Sequence, residues 1–498
     1  MRGAPAFALA VVLLSVLLSP LRRELYVGDE TKYSQVVREM REGSFFLPTL
    51  NGTPFTHKPP LHFWTVGLLT CVFGVYSIWP FVLPSLIAFA LLLLLMHRFG
   101  GPMAAFAAGT SLLLWGSAQT ARMDVAFAAL LALAAYFIYQ ANGALTVRAG
   151  VIAGLAFLVK GPMAPVIVLA LFAFESIRRR RKPVARDALA LLPMLLLPLL
   201  WLVPAIVIGG EEFWREIFYK QTVGRAVGAW VHKSPPWFYV VRAPLTLLPW
   251  FFLTVAALFA AYKRSDERAK FAVSWMLAVF VPYTLLSSKL DVYMITMLPA
   301  VALLVARFVE VDDVWGRRAN LVMLSLFALI GAAGLFVQPH HIKEEDGALV
   351  SRLDVRMLFA LMLLAAIVAM VVTLRGTLQA STIATGLVPV IALGYAGLAL
   401  VPLANELAST RPLVAALERQ NAPPEQVALY VCPHLWTRGM NPALWKARHV
   451  DADELRAASP ALIVARRKNA AEIEDVLRGY RKVDELRMIG KWFDVYRR

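Results

Sequence analysis

Cysteine is almost missing from this chain of 498 residues. Cys71 and Cys432 stand far apart and no CxxC pair occurs, which excludes a zinc knuckle and a dithiol redox motif. Both are expected to be free, packed thiols. Charge is scarce as well: 17% of residues are charged against 59% hydrophobic, and mean hydropathy is +0.63. A soluble domain needs more charge to cover its surface, so lipid is the solvent for most of this protein. Acid is scarcer than base, giving a net charge of +17. The cations fall in short runs between apolar stretches, such as Arg178-Arg179-Arg180-Arg181-Lys182. That pattern sets membrane orientation and argues against a nucleic-acid partner. A signal-peptidase site is also lacking, because Leu18-Ser19-Pro20-Leu21-Arg22 has no A-x-A-like step. The N-terminal apolar run therefore reads as a first span with its N-terminus inside.

About twenty apolar residues cross a bilayer, and on that measure roughly thirteen spans are expected. They fall at 4–21, 79–97, 102–119, 123–141, 147–160, 163–177, 187–208, 243–262, 271–287, 291–309, 319–337, 355–374 and 383–402. The stretch 61–77 follows Pro59-Pro60 and is flanked by Phe63, Trp64 and Trp79-Pro80, so it is expected to lie in the interface rather than cross. With that assignment the cationic loops fall inside: His97-Arg98, the Arg178–Arg186 run, Lys263-Arg264, Arg317-Arg318 and Arg375. The connections near 120, 161 and 288 fall outside.

The expected fold is mainly α, a polytopic transmembrane helical bundle followed by a small soluble α/β domain. Residues 1–402 make the membrane domain, with a first outside loop at 22–78 and a second at 209–242. Residues 403–498 make the soluble domain, with strands expected at Val427–Val431, Ala461–Ala465 and Phe493–Tyr496 and a helix at Ala470–Tyr480. Long domains cross the membrane regardless of their charge, so its cations do not contradict the topology.

Chemistry-bearing residues collect on the outside. Gly28-Asp29-Glu30-Thr31-Lys32-Tyr33 follows the first span, and Asn51-Gly52 precedes His57-Lys58-Pro59-Pro60. Asp29 taken alone also suits the N-cap of a helix starting near Thr31. Arg122-Met123-Asp124 ends the third span, Lys160-Gly161-Pro162 the fifth, and ionisable groups at the edge of an apolar span mark functional sites. Trp230-Val231-His232-Lys233 closes the second loop, and Ser288-Lys289-Leu290-Asp291-Val292-Tyr293 joins two spans. Carboxylates, a histidine, lysines and a tyrosine on one face imply a catalytic or binding cavity open to that side.

These motifs, in this order, resemble the GT-C membrane glycosyltransferases over roughly residues 1–310, above all the bacterial aminoarabinose transferases of lipid A and the protein O-mannosyltransferases. The resemblance implies transfer of a sugar from a polyprenyl (undecaprenyl) phosphate to an acceptor on the periplasmic face of a bacterial inner membrane. It implies Asp29 as the principal catalytic carboxylate and Asp124 as the second acidic position. Lys58 and Tyr293 match groups that hold the donor phosphate, with Lys160 and Lys32 as further basic positions. His232 matches a histidine that can join Asp29 and Asp124 around a divalent cation, and those residue types suit zinc or harder ions such as magnesium or manganese. No cofactor is implied as obligatory. Two departures stand out: His57 occupies a place where the family commonly has an acid, and Ser288-Lys289-Leu290-Asp291 replaces a Gly-Lys-Leu-Pro pattern.

The favoured reaction on this reading is transfer of aminoarabinose to a lipid A phosphate, with partners limited to donor, surface acceptor and membrane lipid. The same cavity chemistry also suits another sugar and a glycan or protein hydroxyl. A lipid or sugar transporter is the rival of a different class. Its ionisable groups belong at the midplane between inverted repeats, and neither feature is visible here.

Overall fold

The computed structural model describes residues 4–26, 28–43, 45–223, 234–263, 266–310, 314–336, 355–430, 447–488 and 490–498. His232 and Cys432 lie outside them. Most of the described chain is helical, because an apolar segment in lipid must satisfy its backbone donors internally. The helices are α1 (Ala4–Leu18), α2 (Asp29–Glu42), α3 (Leu61–Phe73), α4 (Trp79–Thr110), α5 (Leu112–Ala118), α6 (Asp124–Gln140), α7 (Val147–Lys160), α8 (Met163–Arg178) and α9 (Leu191–Arg215). After these come α10 (Phe238–Thr246), α11 (Phe251–Lys263), α12 (Glu267–Leu285), a 3-10 turn at Asp291–Met297, α13 (Leu298–Val309), α14 (Val314–Gly334), α15 (Val355–Arg375), α16 (Leu378–Ala399), α17 (Val401–Ala408) and α18 (Arg411–Arg419).

Among the described residues six helical stretches are long and apolar enough to cross a membrane: Trp79–Thr110, Ala185–Tyr219, Asp291–Val309, Val314–Gly334, Val355–Arg375 and Leu378–Ala399. The chain is a multi-pass membrane protein. Residues 243–262, expected as one span, bend by 112° between Phe238–Thr246 and Phe251–Ala261. Pro249 sits in the break, where it has no amide hydrogen to carry the helical ladder onward. α3 has 13 residues, about 20 Å of rise, and is too short for a hydrocarbon core of about 30 Å.

Contacts divide the chain into two compact units. The first comprises Met1–Ser19, Thr56–His62 and Pro84–Gly397. In it α7 packs on α6 and on α9. Gly150 and Gly154 face α9 so closely that a Cβ at Gly150 would run into the carbonyl oxygen of Ala190, and one at Gly154 would lie 2.7 Å from that of Pro193. This is the small-xxx-small device by which helices approach in lipid. At one end of the bundle, buried Glu175 takes Arg178 at 2.7 Å and Arg179 at 2.9 Å, and Arg178 also reaches Glu267 on α12 at 3.0 Å.

The second unit comprises Pro20–Phe55, Phe63–Leu83 and Leu398–Arg498. Here α2 supports a hairpin of β1 (Thr49–Leu50) and β2 (Thr53–Pro54). Asn51 and Gly52 both take positive φ, 55° and 77°, as a two-residue hairpin turn of primed type requires. Glu39 accepts from the amides of Asn51 at 2.8 Å and Gly52 at 3.1 Å and from the Thr49 hydroxyl at 2.8 Å. The conspicuous Asn51-Gly52 pair is thus a turn locked to a helix.

The C-terminal part of this unit holds β3 (Val427–Tyr430), β4 (Arg448–Val450), β5 (Leu462–Arg466), β6 (Arg481–Met488) and β7 (Lys491–Arg497), ordered β4-β3-β5-β7-β6. β3 pairs parallel with β4 and β5, while β7 runs antiparallel to β5 and β6. Alternation sends Leu429, Leu462, Val464, Phe493 and Val495 to one core with Leu413 and Leu417 of α18. Residues 470–480, expected as a helix, form a 3-10 segment at Arg467–Ile473 and a short helix at Glu474–Leu477. Cys71 is free as expected, but exposed rather than packed.

Candidate functional site

In the first unit the helix ends converge. Asp124 is the first residue of α6 and Lys160 the last of α7, so the antiparallel pair brings both to one end. Lys160 donates to Asp124 Oδ1, and Arg122 Nε donates to Oδ2 at 3.0 Å. The backbone of Arg122 is itself held: Ser85 Oγ on α4 donates to its carbonyl at 2.7 Å. Asp124 is 3% exposed, which makes this a buried carboxylate whose two oxygens are each taken by a cation.

Tyr293 enters from the 3-10 turn. The ammonium of Lys160 lies 5.0 Å from the centre of its ring, within cation–π range, and 5.5 Å from that of Phe127. Tyr283 of α12 stacks on Tyr293 with centroids 5.0 Å apart. Half-buried Lys58 and buried His62 lie within electrostatic reach of Asp124. Burial pushes the His62 imidazole down to about 4, against the pull of Asp124 in the other direction. Three cations, Arg122, Lys160 and Lys58, therefore surround one carboxylate, an arrangement that draws further negative charge.

The turn bearing Tyr293 is tied down by its neighbours. Arg242 of α10 holds both oxygens of Asp291, with Nε to Oδ1 at 2.9 Å and Nη2 to Oδ2 at 2.5 Å. Lys289, 3% exposed, donates to the carbonyls of Ser234 at 3.2 Å and of Leu286, and Ser234 N–H reaches the Ser287 carbonyl at 3.2 Å. The ammonium of Lys289 thus clamps backbone.

In the second unit Asp29 and Lys32 form a pair at 3.0 Å, one turn apart on α2. Asp29 is not the N-cap: Gly28 is, with φ 135°, a value that favours glycine, and Thr31 Oγ1 accepts from the Gly28 amide at 3.1 Å. Asp29 instead occupies the first helical turn, where the helix dipole favours a carboxylate. Glu30 behind it accepts from Arg23 at 2.5 Å and from the Tyr26 amide at 2.8 Å.

The structure therefore groups Asp124, Lys160, Tyr293 and Lys58, and separately pairs Asp29 with Lys32. His232 falls outside the described residues. The sequence marked Arg122 and Asp124 as an ionisable pair at a span edge, and the two do pair, but it assigned no role to His62, Tyr283 or Arg242; a tyrosine and a histidine inside apolar helices were the available signals. Among the described residues no three of His, Cys, Asp and Glu gather in a metal-binding group. Asp124, with a cation on each oxygen, does not suit a divalent metal.

Comparison with known proteins bears on this geometry. Residues 57–208, which carry Lys58, His62, Arg122, Asp124 and Lys160, match the family described as dolichyl-phosphate-mannose-protein mannosyltransferase. ArnT from Cupriavidus metallidurans, solved bound to undecaprenyl phosphate, superposes with a TM-score of 0.75 at 21% identity, covering 99% of this chain and 96% of that one. The chain has the ArnT fold. The same protein in its apo state gives 0.74. The undecaprenyl phosphate-alpha-4-amino-4-deoxy-L-arabinose arabinosyl transferase of Serratia proteamaculans is 28% identical over 366 residues, 68% of this chain and 65% of that protein. That of Edwardsiella ictaluri is 28% identical over 327 residues, 61% and 59% respectively. The match thus spans less than two thirds of these relatives. Resemblance to ArnT-like and mannosyltransferase proteins, first read from short motifs, extends to family match, relatives and fold.

Proposed function

We propose that this protein is a polyprenyl-phosphate-dependent glycosyltransferase that moves a sugar, with aminoarabinose favoured, from undecaprenyl phosphate to a lipid A phosphate at the periplasmic face of the inner membrane. The observation that carries the proposal is the convergence of Arg122, Lys58 and Lys160 around the buried carboxylate of Asp124, beside Tyr293. The names of the Serratia and Edwardsiella relatives supply the sugar and the carrier. On this reading the shorter helices other than α3 also cross, bringing the spans to about thirteen. Residues 403–498 form a periplasmic α/β domain.

The chemistry follows from charge. Breaking the bond between the anomeric carbon and the phosphate oxygen leaves negative charge on the leaving phosphate. Preorganised cations at that phosphate stabilise the charge as it develops, usually the largest catalytic term. Lys58 and Lys160 fill that role, with Lys32 as a further basic group and the Tyr293 hydroxyl as a neutral donor. Asp124 holds Lys160 and Arg122 in place against their mutual repulsion. A lipid A phosphate is already nucleophilic, so Asp29 orients it; toward a hydroxyl acceptor Asp29 is the base. One displacement inverts the anomeric centre. No step requires a divalent cation.

The test is mass spectrometry of lipid A from cells carrying the wild-type gene, Asp29→Ala, or no gene. An aminopentose on the lipid A phosphates that needs both the gene and Asp29 supports the proposal. Unchanged lipid A removes this acceptor and moves the search to surface glycans and exported proteins.

A further inference from the structure

Within the first unit, away from Asp124, α11, α13 and α14 enclose a groove of about 640 Å³. Its walls are apolar: Phe252, Ala256 and Phe259 from α11, Phe308 from α13 and Val322 from α14. One end differs. Arg318, in the second turn of α14, lines the groove and lies 4.9 Å over the ring of Trp315, itself 65% exposed. Among the described residues no carboxylate pairs with Arg318. Its guanidinium is covered on one face by the indole, while its N–H edges remain available to an acceptor. Trp and Arg near the start of an apolar helix mark the level of the lipid headgroups.

The volume accommodates part of a hydrocarbon chain, and the charge sits only at the headgroup end. In a bilayer, apolar walls do not distinguish one lipid from another, because lipid tails are as apolar as the walls. Selectivity must therefore come from the cation and from shape. We propose that this groove binds one acyl chain of an anionic phospholipid, with the headgroup phosphate on Arg318. Arg318 forks toward two phosphate oxygens as guanidinium groups do, and the positive end of α14 adds to the attraction. The site is distinct from the donor groups and takes a lipid that is not consumed.

Native mass spectrometry of the full chain in detergent tests it, with equimolar phosphatidylglycerol and phosphatidylethanolamine, and with undecaprenyl phosphate as a third arm. The wild type is expected to retain one phosphatidylglycerol in preference to phosphatidylethanolamine. Arg318→Gln is expected to lower that preference about fivefold, the ratio one cation near a lipid surface carries, while Arg318→Lys keeps most of it. Ala256→Phe, which fills the groove, should lower retention of both phospholipids; unchanged melting temperature for the two exposed Arg318 variants separates binding from folding. Equal retention of both phospholipids by the wild type, or a preference that survives Arg318→Gln, overturns the proposal. So does retention of undecaprenyl phosphate over phosphatidylglycerol that Arg318→Gln abolishes, since the occupant is then the carrier lipid.

Discussion

The ammonium of Lys160 lies 5.0 Å from the centre of the Tyr293 ring while donating to Asp124. Three segments far apart in sequence meet at that one side chain. Replacing the ring and replacing its hydroxyl should therefore have different consequences. Tyr293→Phe keeps the face that Lys160 uses and loses the donor to phosphate. It is expected to raise KM for the polyprenyl-phosphate donor about tenfold, the worth of one hydrogen bond to a charged group, with little change in stability. Steady-state kinetics with purified donor decide this, and an unchanged KM removes Tyr293 from the donor site.

Asp124→Asn leaves Arg122 and Lys160 close together without a counter-charge. Breaking a buried pair from one side costs about 3–5 kcal/mol, so a marked fall in melting temperature and loss of transfer are expected together. Lys160→Met should lose transfer as well, yet destabilise less if Arg122 still satisfies Asp124. Thermal unfolding of the two variants side by side separates the structural from the catalytic share.

His62 carries a pH signature. Burial holds its imidazole at about 4 against 6.5 when exposed. Between those values the unfolded chain binds a proton that the folded one does not, so stability falls as pH drops through that window. The loss amounts to about 3 kcal/mol at most. His62→Gln should flatten the slope of melting temperature between pH 6.5 and 4; an identical slope means other groups set it.

The Arg242–Asp291 pair is more exposed, at 40% and 32% of the two side chains. Solvent screens it, and a double-mutant cycle with alanine should yield only a small coupling that fades in salt. Its effect on donor KM should exceed its effect on stability, because it anchors the turn that presents Tyr293. Charge reversal of both residues together should restore part of what either reversal alone removes.

Gly150→Ala adds a Cβ that meets the carbonyl oxygen of Ala190, and backbone cannot swing aside. A cost of about 1–3 kcal/mol is expected, together with reduced transfer, since α7 carries Lys160 at its end. Wild-type melting temperature in this variant would show that α7 and α9 have room to part.

Composition and hydropathy alone made this a multi-pass helical protein, since burial in lipid is a sum over local stretches that needs no knowledge of neighbours. Counting spans also put Arg122-Asp124, Lys160 and Ser288–Tyr293 at one end of the bundle, as alternating helix ends must. Which cation meets which oxygen was not legible: Lys160 and Asp124 are 36 residues apart, and their pairing depends on how closely α6 and α7 approach. The glycine spacing in Gly150–Gly154 was a readable trace of close helix packing, but it did not identify α9 as the partner. The bend near Pro249, the clamping of backbone by Lys289, and the turn role of Asn51-Gly52 beneath Glu39 likewise needed the tertiary structure. Periodicity and composition record each segment's own preference for lipid or water. Ion pairs, bends and turns are settled by what lies across space, and there packing geometry decides.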